Sequence, residues 1–234
     1  MVELKDIGFR HILSGISVTF TPGKLSVILG PNGAGKSTML KIAAGLFPPT
    51  VGTVLFDGQP IGKDIAQRRA MLSQQVDSAI PLPVEEVVLM GRHAFSDRDD
   101  AKVARLALER VGMIDKRRQS VASLSGGERQ LVHLARALVQ IWGRTDAVLF
   151  LDEPITHLDL RHQKHLLEIV RELVTEGVTV AAVLHDINLS IEHGDHFLLM
   201  KRGKLIHDTP KVTAEMVEEI FDVKVRSGSG WQFY

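Results

Sequence analysis

The sequence contains no cysteine, which excludes disulfide bridges and thiolate metal sites. It has no net charge: 28 Lys and Arg offset 28 Asp and Glu. That balance points neither to a nucleic-acid coat nor to a polybasic membrane anchor. No apolar run approaches the roughly 20 residues needed to cross a bilayer. The longest, Val178 to Leu184, has the length of a buried strand. The opening MVELKDIGFR lacks the apolar stretch of a signal peptide. Repeats and low-complexity segments are missing too. The expectation is a cytoplasmic protein that meets any membrane through a partner. What the chain does have is 44% apolar residues in a length of 234. That is enough to bury the core of one α/β domain with a subdomain inserted, and it argues against disorder.

Residues 2–9 and 16–20 read as strands near an edge of the fold. The run KLSVIL, then GPNGAGKST, then a helical pattern through Met39, Leu40, Ile42 and Ala43 reads as strand, glycine loop, helix. Gly45 is expected to stop that helix, and 51–56 to form a strand. Residues 76–140 differ in character. Pro81 and Pro83 break the chain, and helical stretches follow at about 84–91 and 98–111. Asp97 or Asp99 is the expected cap of the second and Gly112 its stop. A third helix begins near Gly126. The core resumes with a strand at 147–151, a helix at 162–175, a strand at 178–184, a helix at 187–193 and a hairpin across Arg202-Gly203. Thr213 caps a last helix to about Phe221. The expected fold is an α/β P-loop (RecA-like) core, 1–75 and 141–234, with a mixed sheet and an antiparallel β edge. A helical subdomain, 76–140, is inserted in it.

Three strings carry chemistry. Gly30, Pro31, Asn32, Gly33, Ala34, Gly35, Lys36 and Ser37, with Thr38 following, fit G-x-x-x-x-G-K-[ST] without departure. Such a loop turns backbone N–H groups toward phosphate oxygens, and the positive end of the next helix adds to them. Lys36 supplies a point charge to the β- and γ-phosphates, and Ser37 offers its hydroxyl to Mg²⁺. The second string, Val148 to Glu153, is an apolar strand ending in two carboxylates. Asp152 can hold Mg²⁺ directly or through water, while Glu153, one step further out, can polarise a water aimed at the γ-phosphate. The third is Leu124-Ser125-Gly126-Gly127-Glu128. Taken alone it is an ordinary helix cap. Beside a P-loop, Ser125 and the amides of Gly126 and Gly127 form a second phosphate-binding end. One chain cannot readily bring both ends to one ATP, whereas two chains facing head to tail can.

In this order the three strings resemble the nucleotide-binding domains of ABC transporters, and the resemblance covers essentially the whole chain. It implies a Mg²⁺-dependent ATPase that pairs with its own copy. It also implies a permease dimer in the membrane and a periplasmic or surface substrate-binding protein acting through that permease. The chain itself would lie on the cytoplasmic face of the plasma membrane. Further residues take their roles from the resemblance. Gln74 or Gln75, with Gln74 favoured by spacing, is the Q-loop residue that contacts Mg²⁺ and the attacking water. Leu158-Asp159 is the D-loop. His185 is the switch histidine that reaches the γ-phosphate and holds Glu153. Phe9 is the candidate aromatic for stacking on adenine. One departure is Ile155-Thr156-His157, where the family usually has a small or hydroxyl residue straight after LDEP. It bears on the contacts of the D-loop.

A non-transport ABC ATPase acting on DNA or ribosomes is disfavoured. Such proteins usually carry coiled-coil insertions or two cassettes, and zero net charge suits nucleic acid poorly. A clamp that does not turn over is disfavoured by the presence of Glu153 and His185. Among transporters, the strings His185-Asp-Ile-Asn-Leu189, Met90-Gly91-Arg92 and Leu158-Asp-Leu-x-His162-Gln163 resemble the importers of haem, ferric siderophores and vitamin B12. Gln140-x-Trp142 favours the haem branch. These strings, Arg92 among them, are expected to face the permease or to support the surface that does. His157, His162 and His165 are read as a solvated surface in preference to a metal or haem site, because no carboxylate or thiolate set completes a cluster.

Overall fold

The computed structural model describes residues 1–73, 81–93, 95, 100–156, 158–227 and 231–233, with backbone alone at 63, 64, 226, 227 and 231–233. The strands are β1 (Val2–Phe9), β2 (Leu13–Phe20), β3 (Leu25–Leu29), β4 (Val51–Phe56), β5 (Gln59–Pro60) and β6 (Arg69–Leu72). They continue as β7 (Val148–Asp152), β8 (Thr179–Val183), β9 (His196–Lys201), β10 (Lys204–Thr209), β11 (Val225–Ser227) and β12 (Trp231–Phe233). The helices are α1 (Lys36–Ala43), α2 (Val84–Leu89), α3 (Asp100–Arg110), α4 (Gly126–Gln140), α5 (Leu160–Thr175), α6 (Ile187–His193) and α7 (Ala214–Phe221).

Among the described residues, six strands make the central sheet in the order β10-β9-β3-β8-β7-β6. All neighbours run parallel except β10, which pairs antiparallel at one edge. A four-stranded antiparallel sheet, β2-β1-β4-β5, covers one flank. Every residue of β3, β7 and β8 is buried, as expected for parallel strands covered on both faces. The two-residue period decides which core each side chain joins. Val148 and Phe150 of β7, with Ala181 and Val183 of β8, pack with α1 and the antiparallel sheet. Leu149 and Leu151, with Val180 and Ala182, face the other way into the helices.

That second core also contains Val84, Val87, Ala104, Leu108, Leu131 and Leu138, so α2, α3 and α4 share one apolar cluster with a sheet face. Two polar features tie the same helices down. Arg110 of α3 pairs with Glu172 at 3.1 Å and Glu176 at 2.7 Å, both near the end of α5. Arg92, only 6% exposed, gives Nε to Asp100 at 2.8 Å and a guanidinium NH to the Val139 carbonyl at 3.1 Å, and lies 3.7 Å over the Phe95 ring. Arg92 is thus an internal strut joining the start of α3 to the end of α4. Of the two expected roles, its burial suits support of a surface and not direct contact with a partner. Neighbouring Gly91 is also a packing residue, because a Cβ there would run into the Arg136 carbonyl of α4.

Most expected elements form within two residues of their expected ends. The stretch 84–91 is interrupted, its helix stopping at Leu89 before a 3₁₀ turn at Met90–Arg92. Strand β6 and the short β5, β11 and β12 had no sequence counterpart. The expected caps Asp97 and Asp99 lie outside the described residues.

Candidate nucleotide site

The loop between β3 and α1 is built to leave donors free. Gly35 is the N-cap of α1 at φ 96°, and no side chain caps the helix, so its first amides point outward unpaired. A Cβ on Gly35 would meet the Leu13 side chain, and one on Gly30 would strike the Met200 carbonyl. Only glycine fits both the conformation and the space. Lys36 folds back along the loop, donating from Nζ to the carbonyls of Gly30 at 2.8 Å and Pro31 at 3.0 Å. Burial pushes its ammonium below the usual value, and the Glu153 and Asp152 carboxylates pull it partway back. In front of the loop is an open cleft of about 720 Å³, lined by Ile12, Asn32, Gly33, Gly35, Lys36, Ser37, Thr38, Glu153 and His185.

β7 delivers the two carboxylates to different places. Asp152, 1% exposed, ends the strand and accepts a hydrogen bond from the Ser37 hydroxyl at 2.7 Å. Burial raises its carboxyl above the ordinary value, opposed by the Ser37 hydrogen bond and by Lys41. Glu153 leaves the strand at φ 52°. That left-handed conformation costs about 1–3 kcal/mol for a residue other than glycine and persists only where the surroundings enforce it. Its amide still donates to the Val183 carbonyl at 3.2 Å, extending the β7–β8 pairing by one rung. The turn swings its carboxylate into the cleft, where Oε1 lies 2.5 Å from Nε2 of His185. The Thr156 hydroxyl approaches Oε2 at 3.5 Å.

A second surface forms away from this cleft. Ser125 caps α4 in a reciprocal box: its side chain accepts from the Glu128 amide at 3.3 Å, and Glu128 accepts from the Ser125 amide at 2.9 Å. Lys116 pairs with Glu128, and this hydrogen bond leads in holding the Glu128 carboxyl below its usual range. Asp159 caps α5, accepting from the His162 amide at 2.9 Å, with the His162 ring nitrogen Nδ1 also 2.9 Å away. The His162 amide leads in holding the Asp159 carboxyl low. Gly127 abuts this second cap: a Cβ there would lie 3.3 Å from Leu158 and 3.9 Å from His162. Gln130 and Gln163 brace the same join through the carbonyls of Pro154 at 3.2 Å and Leu158 at 3.0 Å. Ser125, Gly126, Gly127 and Asp159 are therefore gathered together but stand outside the P-loop cleft.

Phe9 is placed elsewhere. Its ring stacks on Phe47 with centroids 6.0 Å apart, and Ile12 lines the cleft instead. Nothing in the sequence singled out Ile12 or Gln130, whose places depend on contacts between distant segments, while Thr156 and Gln163 stood within longer strings with no role of their own. Gln74, Gln75 and His157 lie outside the described residues. Trp142 packs partly buried against the helical core. Asp186 caps α6 by accepting from the Leu189 amide at 3.0 Å. These two expected permease-facing strings therefore also supply scaffold.

A P-loop on a mixed sheet, with a carboxylate–imidazole pair across its cleft and a separate helix-capped glycine string, defines a nucleotide-hydrolysing cassette. The pattern described as ABC transporter matches residues 13–156, and the chain belongs to that family as one of its ATPases. Relatives include the Hemin import ATP-binding protein HmuV of Bradyrhizobium diazoefficiens, 40% identical over 94% of this chain and 86% of the relative. The HmuV of Hahella chejuensis is 42% identical over 93% and 89%. Among solved structures, a dimeric bacterial ABC transporter cassette is 26% identical with a TM-score of 0.81, covering 91% of this chain and 100% of that one.

Proposed function

We propose that the chain powers the import of haem, hydrolysing Mg-ATP as a head-to-tail pair bound to a permease dimer. It would act at the cytoplasmic face of the membrane, with a periplasmic or surface substrate-binding protein delivering cargo to the permease. No helix among the described residues is long and apolar enough to cross a membrane. The observation that carries hydrolysis is Glu153 held against His185 inside the P-loop cleft. The cargo reading is supported by relatives named for hemin import.

In this reading the amides of Gly33, Ala34, Gly35, Lys36, Ser37 and Thr38 surround the phosphates. Lys36 exchanges its two carbonyl partners for β- and γ-phosphate oxygens. Glu153 takes a proton from the water whose oxygen attacks the γ-phosphorus, and ADP leaves. His185 fixes the Glu153 carboxylate and reaches the γ-phosphate. The pairing of Ser37 hydroxyl and Asp152 carboxylate fits a magnesium ion, since both are hard oxygen donors at one point of the site. Gln74 would join them. Bound magnesium would neutralise phosphate charge.

The second surface would close over the partner's nucleotide. The Ser125 oxygen accepts from the Glu128 amide, which leaves its O–H to donate to a γ-phosphate. Gly126 and Gly127 would add amides, and Asp159 would meet the opposite P-loop. Residues 76–140 would swing against the core, pushing a permease helix. Complementation tests the cargo. Cells that lack their own cassette but keep a haem permease and its binding protein should regain growth on haem as sole iron source. Rescue of a siderophore or vitamin B12 system alone would reject haem and leave the ATPase standing.

A further inference from the structure

We infer that a cavity beside Trp142, at the opposite rim of the sheet from the nucleotide cleft, binds a small amphipathic acid: an apolar body that carries one carboxylate. Asp152 and Glu153 stand where β7 ends, whereas this cavity touches Thr145 ahead of β7 and Val178 ahead of β8. It shares no lining residue with the P-loop cleft, so the inference stands apart from the nucleotide reading. Its volume, about 420 Å³, lies in the range that takes a small molecule.

The end of α4 builds one wall. The Ile141 amide donates to the Leu138 carbonyl and the Arg144 amide to the Ile141 carbonyl, both at 3.1 Å. Gly143, at φ 72°, lets the chain turn between them. This tight turn sets both Trp142 and Arg144 along the cavity. The floor is apolar, made by the buried side chains of Leu138, Ile141, Leu173 and Val178. Arg110 of α3 closes the other side, reaching across to Glu172 and Glu176. An acid seated there would touch α3, α4 and α5 at once.

The polar atoms left over in the lining are donors. The one carboxylate there, Glu176, has both oxygens taken by Arg110, at 2.7 and 3.4 Å. Arg110 spends its two terminal nitrogens on Glu176 and Glu172, and its Nε has no partner among the described residues. Arg144 gives Nε and Nη2 to Asp146 at 3.0 and 3.1 Å, which leaves Nη1. The Trp142 indole N–H and the Thr145 hydroxyl also make no hydrogen bond to a described residue. Indole and guanidinium can only donate. An apolar floor under a donor-rich rim suits an apolar body ending in an acceptor, and a carboxylate gains charge-assisted bonds from guanidinium. A cationic ligand would find no unpaired carboxylate in this lining.

The test titrates the purified full chain by calorimetry with 1-naphthaleneacetate and with decanoate, and with the neutral amide of each. At least one acid should bind with a Kd below about 1 mM. The tighter of the two tells whether the favoured body is aromatic or aliphatic. The matching amide should bind about 10–100-fold more weakly, since it lacks the charge-assisted bond. Arg144→Gln, at a partly exposed position, should weaken the acid and spare the amide. Binding should change tryptophan emission, and Trp142→Phe should abolish that change with Trp231 still present. No binding of either acid at about 1 mM, or equal binding of acid and amide, would overturn the inference, and neither measurement needs a variant to fold. Competitive displacement of the acid by Mg-ATP would overturn it too, by placing the acid in the P-loop cleft.

Discussion

Glu153 Oε1 and His185 Nε2 meet at 2.5 Å because β7 and β8 are parallel neighbours in fixed register. Asp152 is level with Val183, so the residues just past each strand end are brought to one rim of the sheet. Replacing Glu153 with Gln removes the base while keeping shape. Turnover should fall by about 10²–10⁴-fold, with ATP still bound. Under saturating Mg-ATP the variant should sediment as a dimer, each nucleotide closed over by the partner's Ser125–Gly127 surface. A chain that stays monomeric would contradict the composite site. His185→Ala should also lose most turnover and keep binding.

Lys36→Ala should weaken ATP binding by about 10–100-fold, the worth of a charge-assisted hydrogen bond to phosphate. Titration calorimetry measures it directly. Unchanged affinity would remove the P-loop from the nucleotide site.

Arg92→Glu should destabilise the chain by about 3 kcal/mol, since it leaves Asp100 facing a second carboxylate in a largely buried place. The urea midpoint of the isolated chain is the measurement. If stability were unchanged and only permease-stimulated turnover fell, Arg92 would be a coupling residue after all.

His133 of α4 is 2% exposed, and neither ring nitrogen has a hydrogen-bond partner among the described residues. Burial, then Arg136 and Arg129, lower its pKa from 6.5 to about 4. The folded state therefore holds the neutral ring while the unfolded chain binds a proton below its own pKa. This contribution is complete above pH 6.5 and is lost as pH falls from there toward 4. The slope is about 1.4 kcal/mol per pH unit inside the window. Carboxylates titrate there too, so the difference between wild type and His133→Leu is what counts. The variant should lose less stability between pH 7 and pH 5. Parallel curves for the two proteins would refute the effect.

The local parts of the fold follow from their own residues. The P-loop, the helix cap at Ser125 and the cap at Thr213 each lie within a few residues and follow from backbone geometry and turn chemistry, whereas Asp159 was expected only as a D-loop residue and its capping of α5 came with the fold. The apolar runs of β3, β7 and β8 announced a sheet buried on both faces. Short β6 carries no such mark, since an Arg begins it and only its pairing with β7 makes it a strand. The choice of Ile12 over Phe9 at the cleft was made by the tertiary structure, through Phe47, Gly35 and Gly203. So was the burial of Arg92, a charge whose place depends on Asp100, Phe95 and Val139 folding around it. A motif records which donors and acceptors a segment owns. Which of them stay free for a ligand depends on partners brought in by packing from elsewhere in the chain.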